Sequence, residues 1–377
     1  MFMSLFFQNP LRLIVAISLA SCVCLAESVD ELTKDGRAAF DRNEFDLAIK
    51  EYTKVIQLDP SNENAYYVRG WVYAYKGNRD LAIMDFKKSI SLCTNSVSTS
   101  SVSTSYSYRS LADIFLMETD YDSAISNYSI AVAYSPQFAD AYAARGGAYY
   151  GKGESRMAIE DCNTAISLNP ELAEAYIFRA TAFAQLGDYG RAISDCSEVI
   201  QKNPSFGRDK AFEIRGAAYV SQSRFDLAKQ DYDQAVSLDP RNPVLLAGRG
   251  EIKLEIGDSK GGIEDCRAAI RLDTNCFIAY NNLAWLLSVS PAVEMRNGQE
   301  ALKYAKKAYE LTSGSDSHVA GTLAAAYAET GDFDEAVKWQ KRSIDGGLTG
   351  KDLKQAQDLL KLYLEKKPYR AEHRPVK

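Results

Sequence analysis

The sequence predicts an all-α solenoid of about nine helix-turn-helix repeats, closed by a C-terminal capping helix. Two observations carry that prediction. The first is a period: Ala139 to Leu172 is repeated by the next 34 residues, Ala173 to Phe206. Tyr142 aligns with Tyr176, Arg145 with Arg179, Asp161 with Asp195, Cys162 with Cys196, and Asn169-Pro170 with Asn203-Pro204. A fixed period of this length decides the architecture before any single residue does. The second is the spacing inside the unit. Tyr142, Gly146 and Tyr149 fall at i, i+4, i+7, on one helix face, and Ala158, Cys162 and Ala165 do the same. Gly153 stands at the break, where a helix end favours left-handed φ, and Pro170 follows the second helix, which it cannot continue. The unit is therefore two short antiparallel helices meeting at small residues, Gly146 against Ala158. One such hairpin cannot bury both apolar faces alone, so repeats must stack.

This pattern resembles the tetratricopeptide repeat. That family carries a large apolar residue, a Gly or Ala four on, a Tyr or Phe three later, then Ala, a second aromatic, Ala and a closing Pro. The resemblance implies a right-handed superhelix of helix pairs whose concave groove binds a peptide or protein.

From the N-terminus, Leu11 to Ala26 is almost wholly apolar, with Arg12 its only charge. The run is short for a spanning helix, which needs about 20 apolar residues. Residues 1–26 read as a signal peptide. Leu19-Ala20-Ser21-Cys22 resembles the bacterial lipobox, which implies lipidation of Cys22. Cleavage near Ala26, or an uncleaved anchor, are the alternatives. An exported protein, tethered through Cys22 at the cell envelope, is the expectation.

The solenoid is expected over residues 29–350. Frames begin at Val29, Glu63, Ser105, Ala139, Ala173, Asp209, Pro243, Phe277 and Ser317. Small-residue pairs mark them, from Gly36/Ala48 and Gly70/Ala82 to Gly250/Gly262. Between the second and third frames the chain twice reads Ser-Val-Ser-Thr-Ser, from Ser96 to Ser105. By composition that tract is a polar, solvated linker. Extra residues around Pro291 to Gly298 predict a longer hairpin turn. The segments Asn281–Leu287 and Thr322–Phe333 resemble the terminal repeats of many exported bacterial tetratricopeptide proteins. Residues 351–366 then form an amphipathic capping helix, with Leu353, Ala356, Leu359, Leu360 and Tyr363 on one side. Residues 367–377 are a basic tail, expected to be solvated and frayed.

A charge pattern recurs within the frames. Arg69, Arg145, Arg179, Arg215 and Arg249 are each followed sixteen residues later by an Asp: Asp85, Asp161, Asp195, Asp231 and Asp265. Frames with Leu in place of the Arg lack the Asp: Leu111 goes with Asn127, Leu283 with Tyr304 and Leu323 with Trp339. The co-occurrence predicts an ion pair between the two helices of each hairpin.

Chemistry is absent from the pattern. The two histidines, His318 and His373, lack a ligand or base context, and neither a phosphate loop nor a metal-spaced cluster occurs. No catalytic residue, metal or cofactor is expected. Cys162, Cys196 and Cys266 stand where other repeats hold Tyr or Phe, so they read as buried thiols. With 44 basic and 50 acidic residues the net charge is −6, which gives no footprint for nucleic acid. The family's clamp for a C-terminal carboxylate is also missing, since the groove places of the early frames hold Thr33, Arg37, Tyr67, Trp71 and Ser110.

What remains is binding. Residues one turn from the packing seam should face the groove. In the early frames these are Phe40, Tyr67, Trp71, Tyr75, Tyr106, Arg109 and Tyr150, and in the middle frames smaller residues such as Thr181, Ala184 and Ala217. Aromatics and Arg dominate interaction hot spots. A non-catalytic protein-interaction scaffold binding through Trp71 and Tyr67 is the expected function. A fixed assembly component of an envelope complex is the alternative.

Overall fold

The computed structural model describes residues 28–95, 101–202 and 207–371. Cys22, the first half of the Ser/Thr tract, Pro204 and residues 372–377 lie outside them. The described chain is helical throughout, and it forms two compact units that divide between Ala175 and Tyr176. The first unit holds α1 (Val29–Asp41), α2 (Phe45–Leu58), α3 (Glu63–Tyr75), α4 (Arg79–Asn95), α5 (Ser101–Met117), α6 (Tyr121–Tyr134), α7 (Ala139–Gly151), α8 (Ser155–Leu168) and the start of α9 (Ala173–Gln185). The second holds the rest of α9, then α10 (Tyr189–Lys202), α11 (Arg208–Ser221), α12 (Phe225–Leu238), α13 (Pro243–Glu255) and α14 (Ser259–Leu272). It continues with α15 (Phe277–Val289), α16 (Gly298–Leu311), α17 (Ser317–Glu329), α18 (Phe333–Asp345) and α19 (Gly350–Leu364).

Local chemistry sets these boundaries. Polar caps open several helices: Ser28 Oγ accepts from the Glu31 N–H at 3.1 Å, and Asn62 Oδ1 from the Ala65 N–H at 2.9 Å. The turn inside a hairpin needs one residue at positive φ. Gly153 supplies it at φ 88°, but Thr119 holds the same place at φ 59°, where a β-branched side chain is strained. At the seam the helices close to backbone distance. A Cβ on Gly146 would sit 2.8 Å from Cys162 Sγ and 3.1 Å from the Ala158 carbonyl oxygen. Where the partner is larger the Gly is needed for the ring: a Cβ on Gly70 would lie 2.9 Å from Phe86.

The five Arg–Asp pairs form a ladder. In each, Nε and Nη2 donate to the two carboxylate oxygens at 2.6–2.8 Å, a bidentate geometry. The Asp residues are buried, at 4–7% exposure. In four of the five, aromatic rings at i−3 and i+4 flank the guanidinium: Tyr66 and Tyr73 lie 5.6 and 5.7 Å from Arg69, and Tyr142 and Tyr149 lie 5.4 and 6.0 Å from Arg145, while Arg249 has Leu246 and Lys253 at those places.

The third arm of the fork was not foreseen. Nη1 of Arg69 donates to Thr53 Oγ1 at 3.0 Å, that of Arg145 to Ser129 Oγ at 3.0 Å, and that of Arg215 to Ser197 Oγ at 3.0 Å. Arg249 reaches Asp233 in the same way at 3.3 Å. These acceptors stand on the second helix of the preceding repeat, so one guanidinium ties two hairpins. Thr53, Ser129 and Ser197 spend their own hydrogens on the carbonyl four residues back, which leaves lone pairs facing the Arg. The signal was in the sequence: before the Leu frames the same place holds Lys87, Arg267 and Lys306, and none of these can accept a hydrogen bond.

Asp265 shows the electrostatic balance. Burial pushes its carboxyl up, but hydrogen bonds from Arg249 and Lys253 outweigh that and hold it below the usual range.

Two expectations need correction. The second half of the Ser/Thr tract is not a linker, because Ser101 to Ser105 open α5. Thr104, Ser105 and Ser107 are buried, and Ser107 Oγ meets Ser89 Oγ at 3.0 Å. A hydroxyl that finds a partner, as that of Ser107 does, can be buried, which composition does not register. The tail is not frayed from Lys367 onward either. Tyr369 packs on Trp285 with ring centroids 5.9 Å apart, Arg370 Nη1 pairs with Glu329 Oε2 at 2.7 Å, and the Ala371 N–H donates to the Val289 carbonyl at 2.9 Å. Glu329 also receives Arg296 at 3.1 Å, from the long turn expected between α15 and α16.

The cysteines Cys93, Cys162, Cys196, Cys266 and Cys276 are buried thiols. Burial pushes Cys196 up to about 12. The folded state therefore keeps a proton that the unfolded chain loses above its ordinary value near 9, so stability falls as pH rises from about 9 toward 12. In mass-resolved labelling with a thiol reagent at pH 8, these five sites should stay unmodified in the native protein and react fully in guanidinium. The ladder gives a second test. Asp161→Asn should cost about 2–4 kcal/mol in a denaturant melt, because it leaves a half-buried guanidinium without its carboxylate. The double change Arg145→Leu with Asp161→Asn, which copies the Leu111/Asn127 frame, should recover most of that loss.

Candidate functional site

The first helix of each hairpin presents one face away from the seam, and the residues expected to bind a partner come from those faces in the first unit. The structure brings them into three groups. Phe40, Phe45 and Tyr75 make an aromatic cluster, with Phe40 and Tyr75 centroids 5.5 Å apart. Tyr75 is 64% exposed, and Trp71 touches it at 6.1 Å.

Tyr67 and Tyr106 meet at a second place. They line a hollow of about 260 Å³ between α3 and α5, with Asn64, Ser89 and Ser103. Tyr106 is 43% exposed and packs at a tilt against Phe138, with ring centroids 4.7 Å apart. Tyr67 and Trp71 are half-buried instead, and both rings lie 6.0 Å from buried Phe86. Their inner edges thus belong to the core between α3 and α4 as much as to the surface.

Arg109 makes the third group. Its Nε lies 3.3 Å from Asp113 Oδ2 without a well-aimed hydrogen bond, and Tyr128 donates to Asp113 Oδ1 at 2.6 Å. Asp140 and Glu174 also face it. Burial pushes the Asp113 and Glu174 carboxyls up despite the Arg109 charge. One cation serves three carboxylates, so the floor of this region is acidic. Tyr150 is half-buried on α7 and joins none of the three groups.

Sequence reasoning missed a larger hollow in the second unit. A cleft of about 440 Å³ is lined by α13, α15, α17, α18, α19 and the segment after α19. His318 lines it, together with Trp285 and Tyr369. Five helices and an aperiodic segment contribute to it, so no single frame announces it. Among the described residues no group of His, Cys, Asp or Glu is arranged to hold a metal, and no helix is long and apolar enough to cross a membrane.

Comparison with known proteins follows this geometry. A tetratricopeptide repeat model matches residues 110–170, 148–205 and 215–275, and two others match 63–96 and 318–346. A TPR repeat model matches 36–77. No curated protein matches the chain. Among solved structures, a tetratricopeptide repeat protein from Parabacteroides merdae is 17% identical with a TM-score of 0.54, over 68% of this chain and 98% of that one. The Cut9–Hcn1 hetero-tetramer of the APC/C is 14% identical with a TM-score of 0.52, over 93% and 99%. The protein MamA is 27% identical with a TM-score of 0.40, over 48% and 94%. With the first two the likeness is one of fold.

Proposed function

We propose that this chain, which belongs to the tetratricopeptide repeat family, is a non-catalytic scaffold of the bacterial cell envelope that holds a protein or peptide on the groove face of its first unit. The observation that carries this reading is the exposed aromatic surface of Tyr75 and Tyr106. Large rings left in water are what a protein partner would cover, because they bury area at little entropic cost. Export rests on the apolar segment before Ala26 and the Cys22 motif.

Tyr75 and Tyr106 are the clean probes, because Trp71 and Tyr67 also pack on Phe86. The double change Tyr75→Ala with Tyr106→Ala should lower stability by about 1–3 kcal/mol, since both rings contact other aromatics, and leave the chain folded. It should weaken capture of the partner in a crosslinking pull-down from intact envelopes by about tenfold or more. Undiminished capture sinks the groove assignment. A fixed complex that survives both changes favours the assembly component instead.

The tether has its own test. Intact-mass analysis of the native protein should show a chain beginning at Cys22 with added acyl mass. More than one chain is needed for firm anchoring. A chain beginning at Glu27 without lipid refutes the anchor.

A further inference from the structure

The cleft in the second unit has a one-sided chemistry. Glu251 and Glu255 come from α13 and Asp352 from α19, while neither Lys nor Arg lines it. Its amides are one-sided too. Gln340 is only 1% exposed, and its Nε2 donates to the Ala356 carbonyl at 3.2 Å, but its Oε1 has no partner. Asn281 spends Nδ2 on Asn282 Oδ1 at 3.3 Å, and its buried Oδ1 is also without a partner. Asn282 spends Nδ2 on the Ala247 carbonyl at 3.2 Å and on Glu251 at 3.4 Å. Donors are consumed inside the protein, and two acceptors buried in the cleft's wall are left without partners.

Buried acceptors without partners are costly, so something must satisfy them when the site is filled. Water reaches Glu251, yet protein crowds it. Desolvation and then repulsion from Glu255 hold its carboxyl above the usual range, against the Asn282 hydrogen bond and His318. Two aromatic rings complete the wall: Trp285 and Tyr369, in contact with each other.

A ligand that matches this lining must be cationic, rich in N–H donors and able to lie on an aromatic face. A guanidinium has five donors in a rigid plane and no acceptor. We propose that the cleft is a second binding site, which takes an arginine side chain of an extended peptide. The carboxylates of Glu251 and Glu255 receive its charge, a turn of the Gln340 and Asn281 side chains toward the cleft lets their unpartnered oxygens receive N–H donors, and Trp285 offers a ring to the cationic plane. The volume, about 440 Å³, leaves room for flanking peptide backbone. The segment Tyr369–Ala371 is part of the wall, fixed there by Arg370 on Glu329.

The inference rests on the scaffold reading but not on the first unit. Its test therefore uses a synthetic probe and the full chain. The peptide acetyl-Ala-Ala-Arg-Ala-Ala-amide should bind in calorimetry. The citrulline counterpart, equal in shape but neutral, should bind at least tenfold more weakly. Glu251→Gln with Glu255→Gln should weaken the Arg peptide at least tenfold without moving the melt, while Glu310→Gln on α16 should change nothing. Absence of binding, equal binding of the citrulline peptide, or indifference to the Glu251 and Glu255 changes overturns the site. Equal binding by arginine amide alone overturns the peptide assignment. Any of these results leaves capture through Tyr75 and Tyr106 standing as a separate question.

Discussion

The bidentate Arg–Asp pair is the interaction on which the regular part of the structure depends. It works because it sits beside the closest approach of the two helices. Gly146 lets the seam close, and Arg145, its neighbour in sequence, then reaches Asp161 across it. A long charged side chain is expensive to hold mostly out of water unless its donors find partners. Here three of the five N–H groups do: two toward the Asp of its own hairpin, one toward a hydroxyl of the hairpin before. The flanking rings of Tyr142 and Tyr149 shield the pair and take up the cationic faces. The result fixes register within a repeat and between repeats through one side chain, something apolar packing alone does less specifically.

Where the ladder stops, Leu takes over. Leu111, Leu283 and Leu323 are 4%, 0% and 1% exposed, so the position becomes ordinary core. The partner place changes in step, to Asn127, Tyr304 and Trp339. The acceptor place of the preceding repeat changes too, to Lys or Arg. Three positions thus vary together for one physical reason. Two of them were legible as a pair; the third became legible only once Nη1 was seen to need an acceptor.

The fold was legible because it is written many times. Each frame repeats its seam residues, its turn and often its proline, so an error in one frame is corrected by the next. What was not legible is what occurs once. Ser101 to Ser105 look like linker by composition, yet they open α5, where Thr104 and Ser105 are buried and the nearby Ser107 reaches across to Ser89. Tyr369, Arg370 and Ala371 carry no periodic signal, and their places on Trp285, Glu329 and Val289 arise only when α15, α17 and α19 are assembled. The groove residues fall between these cases. Their helix face follows from spacing. Whether a ring such as Trp71 points to water or to Phe86 depends on the neighbouring helix, which spacing does not fix.

Each of the two hollows lies between a frame that carries the ladder and a frame that does not. The smaller one is lined by α3, which carries Arg69, and by α5, which carries Leu111. The cleft is lined by α13, which carries Arg249, and by α15 and α17, which carry Leu283 and Leu323. A repeat held by the ladder has its Arg, Asp and hydroxyl committed, with aromatic rings committed around them. Tyr142, Tyr149, Tyr176 and Phe183 serve the guanidinium rather than a partner. A repeat held by Leu is free of that requirement. Its polar groups can be placed for other ends, as Asn281, Asn282 and Trp285 are on α15. The same substitution that removes an ion pair from the core therefore releases neighbouring positions on the first helix. In a ladder repeat, what the surface offers must lie outside the guanidinium's own partners, as Tyr75 does on α3 and Glu251 and Glu255 do on α13.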